Sequence, residues 1–127
     1  MSRILVVDDE PLIALMVEEW LVELGHHVVG PAFDNEGGLS LVDDSLDAAI
    51  IDVSLGKETS YPVADALLER SIPFAFATGH GESAIDARFK APFVLAKPFS
   101  FEGLREMSSR FNLTNDIYEC TTVPSSG

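Results

Sequence analysis

Cysteine is nearly absent from this chain of 127 residues; Cys120 stands alone in its polar C-terminal stretch. One thiol excludes an intramolecular disulfide and a multi-thiolate metal site, and it favours a reducing cytoplasm. Lysine is almost as scarce, at Lys57, Lys90 and Lys97. Set against a net charge of −13, that scarcity argues against nucleic acid as a direct partner, because phosphate contacts need Lys and Arg. No run of about 18 apolar residues occurs, so no membrane insertion is predicted. Met1-Ser2-Arg3-Ile4 passes straight into strand-like sequence, without the apolar core and small-residue cleavage site of a signal peptide.

What is present is an apolar fraction of 46% and a length suited to one domain with a real core. The acidic excess serves solubility first. A cluster of carboxylates is also the means of holding a divalent cation, so the positions of the acids matter.

The apolar residues fall into short runs that stop at polar groups. Arg3-Ile4-Leu5-Val6-Val7 ends at Asp8-Asp9-Glu10. Ala48-Ala49-Ile50-Ile51, apolar on both alternating faces, ends at Asp52. Phe74-Ala75-Phe76-Ala77 ends at Thr78, and Phe93-Val94-Leu95-Ala96 ends at Lys97-Pro98. Runs of this kind predict strands buried on both faces of a parallel sheet. His26-His27-Val28-Val29-Gly30 predicts a further strand, stopped by Pro31; its adjacent histidines point to opposite faces, which suits structural or solvent-facing roles better than one shared metal ion.

Helical patterns alternate with these runs. Pro11 suits a first turn, and a helix is expected to about Leu24 with Gly25 just past its end. Ile13, Met16, Val17, Trp20 and Leu24 form its core stripe, whereas Leu12, Leu15 and Val22 fall off it, either covered by a loop or left as an exposed docking strip. Asp34 or Asn35 caps a second helix reaching about Asp44, weakened by Gly37-Gly38. Residues 55–61 read as a loop and Pro62 opens a third helix to Arg70. A short helix is expected near Ser83–Phe89, and a last one, capped by Ser100, to about Phe111 with Phe101, Leu104 and Phe111 inward. Residues 112–127 read as a poorly ordered tail behind a domain spanning 1–111. A βα unit repeated five times predicts an α/β fold: a parallel sheet with helices on both faces.

In a parallel sheet all C-terminal strand tips share one edge. Asp8, Asp9, Asp52, Thr78 and Lys97 are therefore expected to meet. Crowded carboxylates repel unless a hard cation relieves them. Mg²⁺, with Mn²⁺ as a substitute, takes such oxygen ligands. Asp9 and Asp52 are the expected direct ligands, with Asp8 on a metal-bound water and the Ser54 backbone carbonyl completing the set. A carboxylate beside a cation, an ammonium and a hydroxyl suits phosphoryl transfer to Asp52 as nucleophile. Each residue alone has a plainer role, as cap, turn former or solvated charge; it is their order at successive tips that points to chemistry.

This constellation closely resembles the receiver domain of bacterial two-component response regulators, over about Arg3 to Phe111. Asp8-Asp9 resembles the family's acidic pair, Asp52 its phosphoacceptor, Thr78 its switch hydroxyl and Lys97 its lysine before proline. The resemblance implies a flavodoxin-like (βα)5 fold with strand order 2-1-3-4-5 and a cis Lys97–Pro98 bond. It implies a sensor histidine kinase or phosphotransfer protein as donor, docking near Leu12, Leu15 and Val22. It also implies output through an unknown downstream protein, and self-catalysed phosphotransfer rather than conventional enzyme turnover. Residues 73–81, Pro-Phe-Ala-Phe-Ala-Thr-Gly-His-Gly, look like the signature of alphaproteobacterial FAT GUY single-domain receivers, with Gly81 where that motif has tyrosine.

A second departure is Val94, which replaces the usual aromatic three positions before the lysine. Either Phe74, Phe76 or His80 therefore stands in as the moving part, or the loop Gly79-His80-Gly81 carries the switch itself. Three competing readings remain at this level. A haloacid-dehalogenase-type phosphatase would need an acid where Ser54 stands. The others are a phosphate sink for a shared kinase and a phosphorylation-independent binding module.

Overall fold

Five apolar runs pair side by side as predicted. The structure is a computed structural model that describes residues 2–78, 93–96 and 101–110, with side-chain detail over 2–77 and 101–106. In chain order the elements are β1 (Arg3–Val7), α1 (Pro11–Glu23), β2 (His27–Ala32), α2 (Asn35–Leu41), β3 (Ala48–Asp52), β4 (Ser54–Leu55) and β5 (Glu58–Thr59). They continue with α3 (Tyr61–Glu69), β6 (Phe74–Thr78), β7 (Phe93–Ala96) and α4 (Phe101–Arg110). The main sheet is parallel, in the order β2-β1-β3-β6-β7. Counting only its own strands, this is the expected 2-1-3-4-5.

Alternation along the central strands sorts side chains onto two faces. Leu5, Val7, Ala49, Ile51, Phe74 and Phe76 pack with Val63, Ala64 and Leu67 of α3. Ile4, Val6, Ala48, Ile50 and Ala75 pack with Val17 and Leu21 of α1 and with Leu104 of α4. Helices therefore cover both faces, and Trp20 meets Phe101 edge-to-face at 6.0 Å to join α1 to α4. Arg70 and Asp44 form an ion pair at 2.8 Å, but both side chains are well exposed. Such pairs contribute roughly 0–1 kcal/mol, so apolar burial holds the fold. Among the described residues, no helix is long and apolar enough to cross a membrane.

Several local expectations are corrected. Pro31 does not stop β2, which runs on to Ala32. β2 is an edge strand, and its register against β1 shifts between Leu5 and Val7. That bulge accommodates a residue with no N–H to donate. Gly30 takes φ +98 there, and a Cβ on it would lie 2.9 Å from the Ala32 nitrogen. The α1 stripe is rotated toward Ala14, Val17 and Leu21, which are fully buried, while Ile13, Met16, Trp20 and Leu24 are half-buried flanks. Leu12, Leu15 and Val22 are exposed, at 80%, 49% and 57%, which settles the open choice in favour of an apolar strip. The expected loop contains a small hairpin, β4 paired antiparallel with β5, turning through Gly56 at φ +72. α3 starts one residue early, at Tyr61.

Helix α2 ends at Leu41, short of the expected Asp44. Asp34 caps it, accepting a hydrogen bond from the Gly37 N–H at 2.7 Å. Its poor helix sequence has a tertiary cause: a Cβ on Gly38 would come 2.9 Å from Val63 Cγ2 and 3.3 Å from Val7 Cγ2. The glycine lets α2 close onto α3 and β1. Alanine is the better helix former by about 1 kcal/mol, whereas overpacking costs ~1–3 kcal/mol. Gly38→Ala should therefore lose about 1 kcal/mol in urea unfolding; equal or higher stability would mean that Val63 yields freely.

His26 is 7% exposed, and its Nδ1 has no hydrogen-bond partner among the described residues. Burial lowers its pKa, with Asp47 acting in opposition. His27, the first residue of β2, is exposed, while His26 precedes the strand, which was expected to begin there. The unfolded chain binds the proton that folded His26 resists. Stability from the neutral ring is thus complete above about pH 6.5 and is lost as pH falls from there toward the lowered folded value. Stability should decline more steeply below about pH 6.5 in the wild type than in His26→Gln; parallel profiles by denaturant titration would refute this.

Candidate functional site

Strand register brings the chemistry-bearing tips together. Val7 pairs with Ile51, so Asp8 and Asp52 each stand one residue beyond a matched pair. Asp52 in turn pairs with Ala77, the residue before Thr78. Thr78 pairs with Ala96, the residue before Lys97. Adjacent strands lie about 4.8 Å apart, so the parallel register alone delivers Asp8, Asp52 and the Thr78 backbone to one edge. The Thr78 side chain, Lys97 with the Lys97–Pro98 bond, and Gly79, His80 and Gly81 lie outside the described residues, as do the expected helix near Ser83–Phe89, Phe111 and residues 112–127.

Within the described residues, one carboxylate oxygen each from Asp8, Glu10 and Asp52 gathers into a set whose members all lie within 4.8 Å of one another. Asp8 and Asp52 are buried, at 3% and 6% exposure, and Glu10 is exposed. Local turns hold them. The Glu10 N–H donates to Asp8 Oδ1 at 2.9 Å, and the Ser54 N–H donates to Asp52 Oδ1 at 3.2 Å. The Asp8 N–H donates to the Ala32 carbonyl at 2.9 Å, tying the acidic turn to the end of β2. Asp9, expected as a direct ligand, is not among the three gathered carboxylates; it is half-buried at the bend between Asp8 and Glu10, and its carboxylate faces the turn of the β4–β5 hairpin, where a Cβ on Gly56 would lie 3.9 Å from Asp9 Oδ2.

Glu10 is the site residue that the reading of ligands from sequence left out. Its signal was available, since Asp8-Asp9-Glu10 precedes a helix-opening Pro11. A bend at Asp9 returns the third acid toward the first, which strand periodicity does not anticipate. Ser54 is exposed on β4 opposite Thr59. The neighbouring Val53 carbonyl accepts from the Ser60 N–H at 2.9 Å. The donor set is all oxygen and mostly carboxylate, which fits a hard divalent cation such as Mg²⁺.

The two phenylalanines suggested as a substitute aromatic switch are core side chains. Phe76 is fully buried and Phe74 is 4% exposed. They meet edge-to-face at 5.3 Å, and Phe76 meets Tyr61 at 6.0 Å. Val94 stands opposite Phe76 in the sheet register.

A five-stranded parallel sheet in this order, helices on both faces and acids gathered beyond its central strands define a receiver domain. No family model matches the chain. The solution structure of SdrG from Sphingomonas melonis Fr1 is 45% identical, with TM-score 0.77, over 88% of this chain and 97% of that one. The BeF3-activated conformation of SdrG from Pseudomonas melonis Fr1 is 47% identical, with TM-score 0.72, over 84% of this chain and 92% of that one. The Phyllosphere-induced regulator PhyR of Methylorubrum extorquens is 32% identical over 103 residues, which cover 77% of this chain and 39% of that protein. The chain belongs to the response regulator receiver family of two-component signalling. The FAT GUY resemblance is consistent with SdrG and PhyR among its relatives. The chain spans about 39–52% of the length of the curated relatives it matches.

If the acid cluster holds a cation, Mg²⁺ should raise the melting temperature by relieving carboxylate repulsion. The stabilisation is RT ln 2, about 0.4 kcal/mol, when its concentration equals Kd. Asp8→Asn should shrink the gain, and a wild-type melting curve indifferent to millimolar Mg²⁺ would count against the cluster as a cation site.

Proposed function

We propose that this receiver accepts a phosphoryl group on Asp52 from a histidine kinase or phosphotransfer protein and signals through contact with another protein. The observation that carries this reading is the convergence of the Asp8, Glu10 and Asp52 carboxylates at the edge where the parallel strands end. Asp52 is the nucleophile. It ends the central strand β3, is held by the Ser54 N–H, and presents a carboxylate to the carboxyl edge of the sheet. A carboxylate oxygen attacks phosphorus, an O–P bond forms, and the N–P bond of the donor phosphohistidine breaks. The electron pair stays on the departing imidazole nitrogen.

Asp9, Asp52 and the Ser54 carbonyl would hold Mg²⁺ directly, with Asp8 on a bound water and Glu10 adding charge. Bound there, Mg²⁺ or Mn²⁺ supplies charge neutralisation for the oxygens of the transferring group. Lys97 adds a second positive charge, and Thr78 donates a hydrogen bond to a phosphoryl oxygen. The phosphorylated state is read through the Gly79-His80-Gly81 loop, because the nearby aromatics Phe74 and Phe76 are locked in the core. The exposed strip of Leu12, Leu15 and Val22 on α1 is the docking face for the helical donor. The setting is cytoplasmic, and the protein acts as a signalling element.

Acetyl phosphate with Mg²⁺ should add one phosphoryl group to the wild type and none to Asp52→Ala, read by intact mass. Equal stoichiometry in the two proteins would overturn Asp52 as the acceptor.

A further inference from the structure

The first residue of α2 reaches across to the hairpin that follows the phosphoacceptor. Asn35 is 7% exposed. Its Nδ2 donates to the Thr59 carbonyl at 2.7 Å and to Glu58 Oε1. Both residues belong to β5, whose partner β4 carries Ser54 directly opposite Thr59. The amide orientation is set by these contacts, since both groups facing it are acceptors. Asn35 Oδ1 is buried and has no hydrogen-bond partner among the described residues. The side chain therefore serves its donors.

The same hairpin touches the acid site at two points. The Ser54 N–H holds Asp52 Oδ1, and the Gly56 turn lies against the Asp9 carboxylate. Two-residue strands bring few hydrogen bonds of their own, and an isolated hairpin is marginal in water. Its place over the acids must be set from outside. Helix α2 is a firm support, because Gly38 seats it against Val63 of α3 and against Val7, the residue before Asp8.

We propose that Asn35 is a positioning residue for the cation site, fixing the β4–β5 hairpin so that the Ser54 backbone and the Gly56 turn stand correctly against Asp52 and Asp9. The proposal rests on the phosphoacceptor reading above. Asn35 touches neither cation nor phosphoryl group; it acts through Thr59 and Glu58. Its loss loosens the hairpin and weakens cation affinity.

The test is calorimetric titration of the full chain with Mg²⁺ alone, alongside melting curves in Mg²⁺-free buffer. Asn35→Ala should weaken Mg²⁺ binding about tenfold, the low end for residues that orient ligands from behind. Asn35→Asp should weaken it at least as much. It keeps the size of the side chain but turns an oxygen toward the Thr59 carbonyl and the Glu58 carboxylate. The added negative charge by itself would favour the cation, so this order separates hairpin anchoring from charge. Should Asn35→Ala fail to fold, Asn35→Ser supplies the comparison with Asn35→Asp. A residue serving stability alone would lower the melting temperature and leave the Mg²⁺ Kd unchanged; that result, or tighter binding by Asn35→Asp than by the wild type, overturns the proposal. A wild type that binds no Mg²⁺ and takes no phosphoryl group from acetyl phosphate overturns the phosphoacceptor reading itself.

Discussion

Like charge crowded at one edge of a buried sheet is the constraint to which the rest of the structure is fitted. Asp8 and Asp52 are nearly inaccessible, and Glu10 turns back toward them. Like charges whose oxygens lie within 4.8 Å of one another repel, and burial screens them less than water would. A surface ion pair such as Arg70–Asp44 contributes little by comparison with the packing around the acids. The acids stay together because the strands leave them little choice. Five parallel strands end at one edge, their sides are filled by apolar residues from four described helices, and the Glu10 and Ser54 N–H groups pin the carboxylates of Asp8 and Asp52.

Helix α2 illustrates how tertiary packing overrules local preference. Consecutive glycines make it the poorest of the described helices by propensity, yet Gly38 is what allows it to approach Val63 and Val7 closely. Asp34 compensates at the cap, worth about 1 kcal/mol. Once seated, the helix presents Asn35 to the hairpin beside the acids. A weak local element thereby becomes a link between the core and the site.

Packing also fixes the aromatics of β6, whose Phe74 and Phe76 are bound into the core with Tyr61. Rotating a fully buried ring would open a void in close-packed surroundings.

Much of the fold was legible in the chain itself. Short apolar runs with both faces hydrophobic specify buried parallel strands, Pro11 and Pro62 mark helix starts, and acids at the ends of the first and third runs mark the site edge. These signals are local, and local patterns survive in sequence. Other features depend on contacts between distant segments. The bulge that carries Pro31 through an edge strand needs β1 beside it, and the turn of α1 that buries Ala14 and Leu21 is set by the sheet beneath. The return of Glu10 toward Asp52 and the reach of Asn35 to Thr59 are equally unwritten in any periodicity. The sequence by itself determined which strands would end in carboxylates, because burial dictates where apolar runs must stop. Only the tertiary structure decided which carboxylates meet and what holds them, because strand register and helix seating are settled by packing across the whole sheet.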